Sequence, residues 1–289
     1  MTAEGVKIIE CPRDAMQGIK AFIPTAEKVK YLQSLLNCNF DSLDFGSFVS
    51  PKAIPQMADT AHVLAALDLS KTKTKLLAIV ANLRGAQEAC KQPEINYLGY
   101  PFSISENFQM RNTHTTIAQA VLVLQEILAL AVLHNKKVVV YLSMGFGNPY
   151  GDPWSTEVVL QWTEKLSNMG VGILSLSDTV GSATLADIKA LYEAIIPAYP
   201  SIEIGAHLHT NPSEWKDKIA TSYAAGCRRF DGAIQGFGGC PMAADALTGN
   251  MPTEKMLSYF SSQKIPHQVH WMAFEAAHNK ASSLFKAYH

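Results

Sequence analysis

Two histidines, separated by a single leucine, follow the β-rich segment 201–204. Side chains alternate between the two faces of a strand, so His207 and His209 point the same way and can bind one metal ion. Two such histidines can also cap a strand or satisfy buried carbonyl groups. Asp14 supplies the carboxylate that two neutral imidazoles lack. This mixed oxygen and nitrogen set favours Mg²⁺, Mn²⁺ or Zn²⁺ over a metal that prefers thiolates.

Arg13 precedes that carboxylate directly in the chain. An arginine is always charged, and its guanidinium group is suited to stabilising an enolate or carboxylate oxygen. The alternative is a surface ion pair with Asp14, which would contribute about 0–1 kcal/mol to stability.

A second candidate lies in the glycine-rich segment 236–241, Gly-Phe-Gly-Gly-Cys-Pro. Three glycines in four residues predict a loop that can close over a site. Near a metal ion and an arginine, the Cys240 thiol would ionise more readily and could donate or accept a proton. The alternative is a tight turn around a buried cysteine. Asn250, a short distance onward, offers a carbonyl oxygen that could complete the metal site.

These residues must be positioned by the surrounding elements, and β-rich segments alternate with helical patterns along the whole chain. Eight strands in 289 residues favour a (β/α)₈ TIM barrel over an open doubly wound sheet. We predict a single domain over residues 1–289, with additional C-terminal helices from about residue 253. Thr25 is the expected N-cap of the first helix. The predicted strands are 6–11, 41–45, 75–81, 95–100, 137–142, 171–176, 202–207 and 229–234, and the predicted helices are 25–37, 59–67, 83–91, 113–134, 155–168, 184–196 and 212–225.

In a TIM barrel the functional groups lie at the C-terminal ends of the strands, where the following loops form the open mouth. Polar residues occupy these ends in at least seven of the predicted strands. This agreement favours the metal interpretation of the two histidines. The residues are Arg13, Asp14, Asp44, Ser47, Asn82, 103–106, Ser143, Asp178, Thr179, His207 and His209.

Composition narrows the class of protein. The 24 basic and 25 acidic residues give a net charge of −1, so no global field favours nucleic acid or an anionic membrane. The N-terminus has no basic and apolar leader, and the most apolar stretch contains Gln125 and Glu126, so we expect a cytoplasmic protein without a membrane span. Five widely spaced cysteines without a Cys-x-x-Cys pair argue against a disulfide framework and against a structural zinc site. The tail residues Tyr259, Phe260, Trp271 and Phe274 could cover a homodimer interface or pack against the same chain.

The segment 46–59, Gly-Ser-Phe-Val-Ser-Pro-Lys-Ala-Ile-Pro-Gln-Met-Ala-Asp, resembles the signature of the 3-hydroxy-3-methylglutaryl-CoA lyase family. Other family motifs follow in order over nearly the whole chain. They are Pro12-Arg13-Asp14 with Gln17, Ser105-Glu106 with Phe108 and Asn112, Ser143 with Gly147, Pro149 and Tyr150, Asp178-Thr179 with Gly181, and Gly238-Gly239-Cys240-Pro241.

The resemblance implies divalent-metal cleavage of the acyl-CoA thioester hydroxymethylglutaryl-CoA into acetyl-CoA and acetoacetate, in leucine breakdown and ketone-body formation. It implies that a base removes the hydroxyl proton and that the carbon–carbon bond then breaks to leave a thioester enolate. The implied metal ligands are Asp14, His207, His209 and Asn250. The implied catalytic residues are Arg13, which stabilises the enolate, Cys240, which moves protons, and Asp14, Asp44 and His207, which assist. The implied substrate-binding residues are Gln17, Ser47, Asn82, Ser143, Ser175, Asp178 and Thr179.

The chain departs from the family pattern in several places. Asp44 replaces the family glutamate, which shortens the reach of the carboxylate by about 1.5 Å, the length of a carbon–carbon bond. Residues 210–213 read Thr-Asn-Pro-Ser in place of Asp-Thr-Tyr-Gly, so we expect a carboxylate that could orient the histidines to be missing. Cys11 and Ala15 replace glycines, and Asn148 stands at a usual cysteine. The alternatives are a related aldolase or acyl-CoA condensing enzyme, or a degraded relative that binds metal or acyl-CoA without turnover.

Overall fold

A computed structural model describes residues 5–239 and 248–288. Eight parallel strands close into a barrel because the first strand pairs with both the second and the eighth. The predicted TIM barrel is therefore confirmed, with strand ends that differ from the prediction by up to three residues. The strands are β1 Lys7–Glu10, β2 Ser42–Ser47, β3 Lys75–Ile79, β4 Ile95–Ser103, β5 Lys137–Ser143, β6 Ile173–Asp178, β7 Glu203–Thr210 and β8 Arg229–Gly232.

A short ninth strand, β9 (Gly249–Asn250), was not predicted. It pairs antiparallel with β7, with His209 opposite Asn250. Two residues are too few for a periodic pattern in the sequence. The pairing matters because it brings a predicted metal ligand, Asn250, beside one of the two histidines.

Eleven α-helices occur in the described ranges, together with 3₁₀ turns at Pro55–Met57 and Ile234–Gly236. Most of them cover the outside of the barrel, as the alternating pattern predicts. They are α1 Pro12–Gln17, α2 Thr25–Leu36, α3 Thr60–Ala66, α4 Leu83–Cys90, α5 Glu106–Thr113, α6 Ile117–Leu133, α7 Thr156–Asn168, α8 Leu185–Ala198, α9 Trp215–Ala224, α10 Thr253–Ser262 and α11 Trp271–Tyr288.

Two helix predictions need correction. Pro24 is the N-cap of α2, and the Thr25 hydroxyl instead donates a hydrogen bond to Asp59 Oδ2 at 2.7 Å. The predicted helix 113–134 corresponds to α6, which begins four residues later, after a capping box formed by Thr116 and Gln119. The preceding helix α5 was not predicted, and it ends before His114, which has a left-handed conformation. Only Phe108 and Met110 of its eight residues are apolar, so no apolar period indicated it.

The core has two parts. An outer layer lies between the barrel and its helices, and a smaller cluster inside the barrel contains Leu77, Ile79, Val139, Tyr141 and Ile173. This inner cluster comes from β3 to β6. Across the barrel, β2, β7 and β8 direct polar groups inward instead. Asp44, His207 and Asp231 occupy this side.

The C-terminal helices pack on the same chain. Phe260 and Phe274 are buried, and Phe285 of α11 contacts Tyr31 of α2 edge to face at 5.9 Å. Trp271 stays 45% exposed. For the two buried phenylalanines, the alternative of packing within one chain is therefore the correct one.

No single helix in the described part of the chain is long and apolar enough to cross a membrane. Helices α5 and α6 meet the length and composition criteria only as a pair, and they are bent by 61° at their junction.

Candidate active site

Arg13 lies on α1, directly after β1, and is almost completely buried at the barrel mouth. Its Nε donates to both oxygens of Asp44, at 3.2 and 3.0 Å, and its Nη2 donates to Asp44 Oδ2 at 2.6 Å. Its Nη1 donates to Asp14 Oδ1 at 3.0 Å and to Gln17 Oε1 at 2.9 Å. A guanidinium group has five N–H donors, so one hydrogen on Nη2 has no partner in the described part of the chain.

The two carboxylates beside Arg13 differ in their pKa values. Burial raises the pKa of Asp44 to about 6, although the charge and hydrogen bonds of Arg13 oppose the shift. Burial also raises the pKa of Asp14, but Arg13 and the two histidines outweigh burial and leave the pKa below its usual range. Asp14 is therefore the better anionic ligand of the two.

Asp14 is held by three different donors. Besides Arg13, Gln17 Nε2 donates to its Oδ1 at 2.6 Å, and Asn250 Nδ2 donates to its Oδ2 at 2.6 Å. Asn250 Nδ2 also donates to the carbonyl oxygen of Phe237 at 2.8 Å. These bonds keep Asn250, a predicted ligand through its carbonyl oxygen, next to Asp14.

His209 is oriented as a neutral ligand. Its Nδ1 lies 2.9 Å from the carbonyl oxygen of Thr179, which places the imidazole proton on Nδ1. Its Nε2 is buried and has no hydrogen-bond partner in the described ranges. Burial, aided by the charge of His207, lowers the pKa of His209 to about 4. At neutral pH the Nε2 lone pair is therefore available for a metal ion.

His207 is oriented by a carboxylate that the sequence analysis missed. Its Nδ1 lies 3.2 Å from Asp231 Oδ2, and Asp231 is buried at the end of β8. Burial lowers the pKa of His207, but Asp231 and Asp14 outweigh burial and raise it overall. The expectation that no carboxylate would orient the histidines is therefore wrong: β8 supplies the group that residues 210–213 lack. The signal was a charged residue within a buried strand, directly after Phe230.

These groups fit a divalent metal ion. Ligand atoms of Asp14, His207 and His209 all lie within 4.8 Å of one another. The set combines one anionic oxygen with two imidazole nitrogens, and His209 Nε2 is a buried polar atom without a hydrogen-bond partner in residues 5–239 and 248–288. This donor set suits Mg²⁺, Mn²⁺ or Zn²⁺. The residues present therefore fit the predicted metal, and Asn250 is the neighbouring fourth candidate.

A cavity of about 500 Å³ opens above this cluster. Its lining brings together most of the predicted site residues, together with an apolar wall from Val49, Ile54, Ile79 and Phe108. A cavity with one polar end and one apolar wall suits a ligand that has a polar part and an apolar part. The predicted residues that line it are Arg13, Asp14, Gln17, Asn82, Ser143, Thr179, His207 and His209.

Four other predicted residues lie elsewhere among the described residues. Asp44 lies behind Arg13, and Ser47 lines a neighbouring pocket at the start of α4. Ser175 faces the barrel interior below the mouth, where its Oγ donates to Asp231 Oδ2 at 3.3 Å. Asp178 points outward to Lys218, whose Nζ donates to its Oδ2 at 2.9 Å. The structure thus does not bring Ser47, Ser175 or Asp178 to the cavity wall. Ser175 and Asp178 are three residues apart on β6, so their side chains face opposite sides of the strand.

Asn82 and Thr179 also have structural partners. Asn82 is the N-cap of α4, and its Oδ1 accepts a hydrogen bond from the Gly85 amide at 2.9 Å. Thr179 Oγ1 accepts one from the Met144 amide at 2.9 Å. Both side chains are therefore held in place where they reach the cavity.

The glycine-rich segment approaches the metal cluster closely. Gly238 has a φ of +86°, and a Cβ there would lie 2.6 Å from the Asp14 carbonyl oxygen and 2.8 Å from Asn250 Nδ2. Only glycine fits this position without a shift of the backbone. Cys240, the predicted proton-transfer residue, lies outside the described residues. The other four cysteines are free thiols, and all four are buried.

Comparison with known proteins identifies the family to which this chain belongs. A sequence model described as HMGL-like matches residues 6–280. The chain belongs to the HMGL-like family. A hydroxymethylglutaryl-CoA lyase of Bacillus subtilis is 30% identical over 258 residues, which are 89% of this chain and 85% of the relative. A 3-hydroxy-3-isohexenylglutaryl-CoA/hydroxymethylglutaryl-CoA lyase of Pseudomonas aeruginosa is 31% identical over 261 residues, 90% of this chain and 86% of the relative.

Solved structures of HMGL-like proteins agree with this barrel. The HMG-CoA lyase of Brucella melitensis superposes with a TM-score of 0.90 at 28% identity, over 98% of this chain and 99% of that one. An HMG-CoA lyase of Acinetobacter baumannii, solved with coenzyme A and 3-methylmalate, gives a TM-score of 0.88 at 26% identity over 96% and 90% of the two chains. The predicted family and barrel are both confirmed.

Proposed function

We propose that this chain cleaves 3-hydroxy-3-methylglutaryl-CoA into acetyl-CoA and acetoacetate with the help of a bound Mg²⁺ or Mn²⁺ ion. The observation that carries the proposal is the convergence of Asp14, His207 and His209 beside Arg13 at the mouth of an HMGL-like barrel. The relatives from Bacillus subtilis and Pseudomonas aeruginosa are both lyases of this acyl-CoA thioester, which supports the choice of substrate. The cavity above the cluster has room for the branched acyl group.

Asp14, His207, His209 and Asn250 would hold the metal. When bound, a divalent cation would lower the pKa of a hydroxyl group and fix its orientation. The chain's own residues prepare the site for this chemistry. Asp231 and the Thr179 carbonyl orient the two imidazoles, and the depressed pKa of Asp14 keeps that carboxylate anionic.

Arg13 is placed to stabilise the negative charge that develops on the thioester oxygen as the carbon–carbon bond breaks. It lines the cavity and keeps one N–H without a partner in the described ranges. Asp44 and Asp14 hold the guanidinium rigidly, so little reorganisation accompanies the reaction. Asp44 is therefore a positioning residue, which explains how a shorter side chain can replace the family glutamate without contacting the substrate.

The decisive experiment is to incubate the purified protein with the thioester and Mg²⁺ or Mn²⁺ and to measure acetoacetate. We expect turnover that chelation abolishes, and we expect the loss of a metal ligand in His207→Ala to reduce it by orders of magnitude. No release with any of several divalent metals would refute the proposal. Thermal stabilisation by metal without product would then identify a binding protein, whereas turnover only of other 3-hydroxy acyl-CoA thioesters would identify a related lyase.

Cys240 offers a second test of this function. Because the sequence predicts a proton-transfer role for Cys240, Cys240→Ala should lower kcat by about 10²–10⁴-fold, the usual contribution of general acid–base catalysis, with little change in Tm. Cys227→Ala is the matched control, because Cys227 is fully buried and lies in the outer layer of the core. Unchanged turnover, or unfolding of Cys240→Ala, would contradict this role.

The cellular context of the reaction is part of the same proposal. We propose that the enzyme acts in the cytoplasm, in leucine breakdown and the formation of ketone bodies, and that it forms a homodimer. The proposed products, acetyl-CoA and acetoacetate, fit the metabolic part of this proposal. Size-exclusion chromatography with light scattering tests the dimer directly.

A further inference from the structure

Cys11 lies directly below the predicted metal cluster and is 1% exposed. It follows β1, in which Glu10 points outward and accepts hydrogen bonds from the Ile234 amide and the Thr253 hydroxyl. Because alternate residues of a strand face opposite sides, Cys11 points into the barrel. The sequence analysis identified Cys11 only as a replacement for a family glycine, and the proposed reaction does not use it.

The neighbours of Cys11 are metal-ligating groups. Ligand atoms of Cys11, His207 and Asp231 all lie within 4.8 Å of one another. This group shares only His207 with the cluster at the mouth. The Nδ1 edge of that imidazole faces Asp231, which leaves Nε2 for the mouth.

A second observation indicates that a cation can bind at this position. Asp231 is 2% exposed, and its Oδ1 is a buried oxygen with no hydrogen-bond partner in residues 5–239 and 248–288. An orphaned buried carboxylate oxygen is costly unless a donor or a cation satisfies it. Burial, reinforced by the negative charge of Asp231, Asp44 and Asp14, raises the pKa of the Cys11 thiol.

We propose that Cys11, His207 Nδ1 and Asp231 form a second metal site, selective for Zn²⁺ and similar thiolate-binding cations, beneath the site for Mg²⁺ or Mn²⁺. One sulfur, one imidazole nitrogen and one carboxylate oxygen are all common zinc ligands, whereas Mg²⁺ does not take a thiolate. Binding releases the thiol proton to solvent, as zinc binding to cysteine generally does.

The shared histidine makes the two sites mutually exclusive. A neutral imidazole has one nitrogen lone pair, and its proton must lie on Nε2 when Nδ1 binds zinc. Zinc at the lower site therefore removes His207 from the upper set. Zinc acts as an inhibitor that competes with the activating metal rather than with the thioester.

The test uses Co²⁺ as a spectroscopic substitute for Zn²⁺ on the full-length protein without substrate, so its outcome does not depend on the proposed lyase activity. We expect a thiolate-to-cobalt charge-transfer band in the near ultraviolet, which Zn²⁺ displaces. The band should disappear in Cys11→Ser and Cys11→Ala and persist in Cys227→Ser. It should also persist in Cys240→Ser, which excludes the thiol of the glycine-rich loop as its source.

Two further measurements complete the test. X-ray absorption at the zinc edge of the unmodified protein should show one sulfur at about 2.3 Å, and this readout needs no variant to fold. Electron paramagnetic resonance can follow the release of bound Mn²⁺ as Zn²⁺ is added. The Zn²⁺ concentration needed for release should be lower for the native protein than for Cys11→Ser, by about tenfold or more. The proposal is overturned if the native protein gives no band and no sulfur, if the band survives in Cys11→Ser, or if Cys240→Ser removes it.

Discussion

The interior of the barrel differs between its two halves. On β3 to β6 it consists of Leu77, Ile79, Val139 and their neighbours, which pack as a small apolar cluster. On β2, β7 and β8 the same inward positions carry Asp44, His207 and Asp231. The halves meet where the Tyr141 ring contacts His207 edge to face, at 5.4 Å.

The difference shows how one barrel separates stability from chemistry. The apolar half stabilises the fold because its side chains are removed from water, and its close packing forms a rigid wall. The polar half contains charges that would be unfavourable singly, and each described charge is held by another: Arg13 by Asp44 and Asp14, and His207 by Asp231. Substitutions in the two halves should therefore have different consequences.

Among changes at Arg13, Leu77, Asp231 and Glu10, the largest effect on turnover should come from Arg13→Met. Removal of a group that stabilises developing negative charge typically costs about 10²–10³-fold in kcat, and we expect that loss with a smaller change in metal affinity. The pKa of Asp44 should rise further, since Arg13 opposes the effect of burial. Steady-state kinetics and a Mn²⁺ binding titration measure the two quantities.

Leu77→Ala is the matched change in the apolar half. Leu77 is fully buried, so the variant should lose about 2–5 kcal/mol of unfolding free energy while kcat stays within a fewfold of the native value. Equal losses of metal affinity and kcat in Arg13→Met, or a large fall in kcat for Leu77→Ala, would show that the two halves do not divide the work in this way.

Asp231→Asn should have an intermediate effect. It keeps the shape of the side chain but removes the carboxylate that orients His207, and changes of this type cost about 10–100-fold in metal affinity. Ser175→Ala is the control, because it removes only the hydroxyl that donates to Asp231 at 3.3 Å. Isothermal calorimetry with Mn²⁺ compares the two variants; equal affinities would mean that Asp231 does not position the ligand.

The smallest effect on turnover should come from a change at Glu10, a buried carboxylate outside the barrel that has neutral partners instead of a cation. Burial raises the pKa of Glu10 to about 8, against an ordinary value of 4.5. Between pH 4.5 and 8 the folded state therefore holds a proton on Glu10 that the unfolded state has lost. The stability that this proton contributes is lost as the pH rises toward 8. Glu10→Gln should remove this dependence, so that its stability relative to the native protein rises by about 1.4 kcal/mol per pH unit between pH 5 and 8.

Urea unfolding at several pH values measures the difference for Glu10→Gln. Changes at other carboxylates cancel in the comparison with the native protein, because only residue 10 differs. A constant difference across this range would contradict the raised pKa.

The order and type of the strands and most helices followed from the sequence, because eight β-rich segments with intervening helical periods allow few other architectures. The sequence likewise indicated the candidate chemistry: His207 and His209 share a face by strand alternation, and Arg13 and Asp14 adjoin a strand end. Helix α5 and the two-residue β9 were missed because neither has a periodic apolar pattern.

Only the tertiary structure decided which polar residues act together. Ser175 and Asp178 were both predicted to contact substrate, and both lie on β6. Ser175 nevertheless faces the barrel interior, whereas Asp178 faces Lys218. Asp231 orients His207 from another strand, 24 positions along the chain. Cys11 lies beside both because β1 and β8 are neighbours only once the barrel closes. Such contacts depend on strand register and barrel closure, which bring together residues that are distant in the sequence.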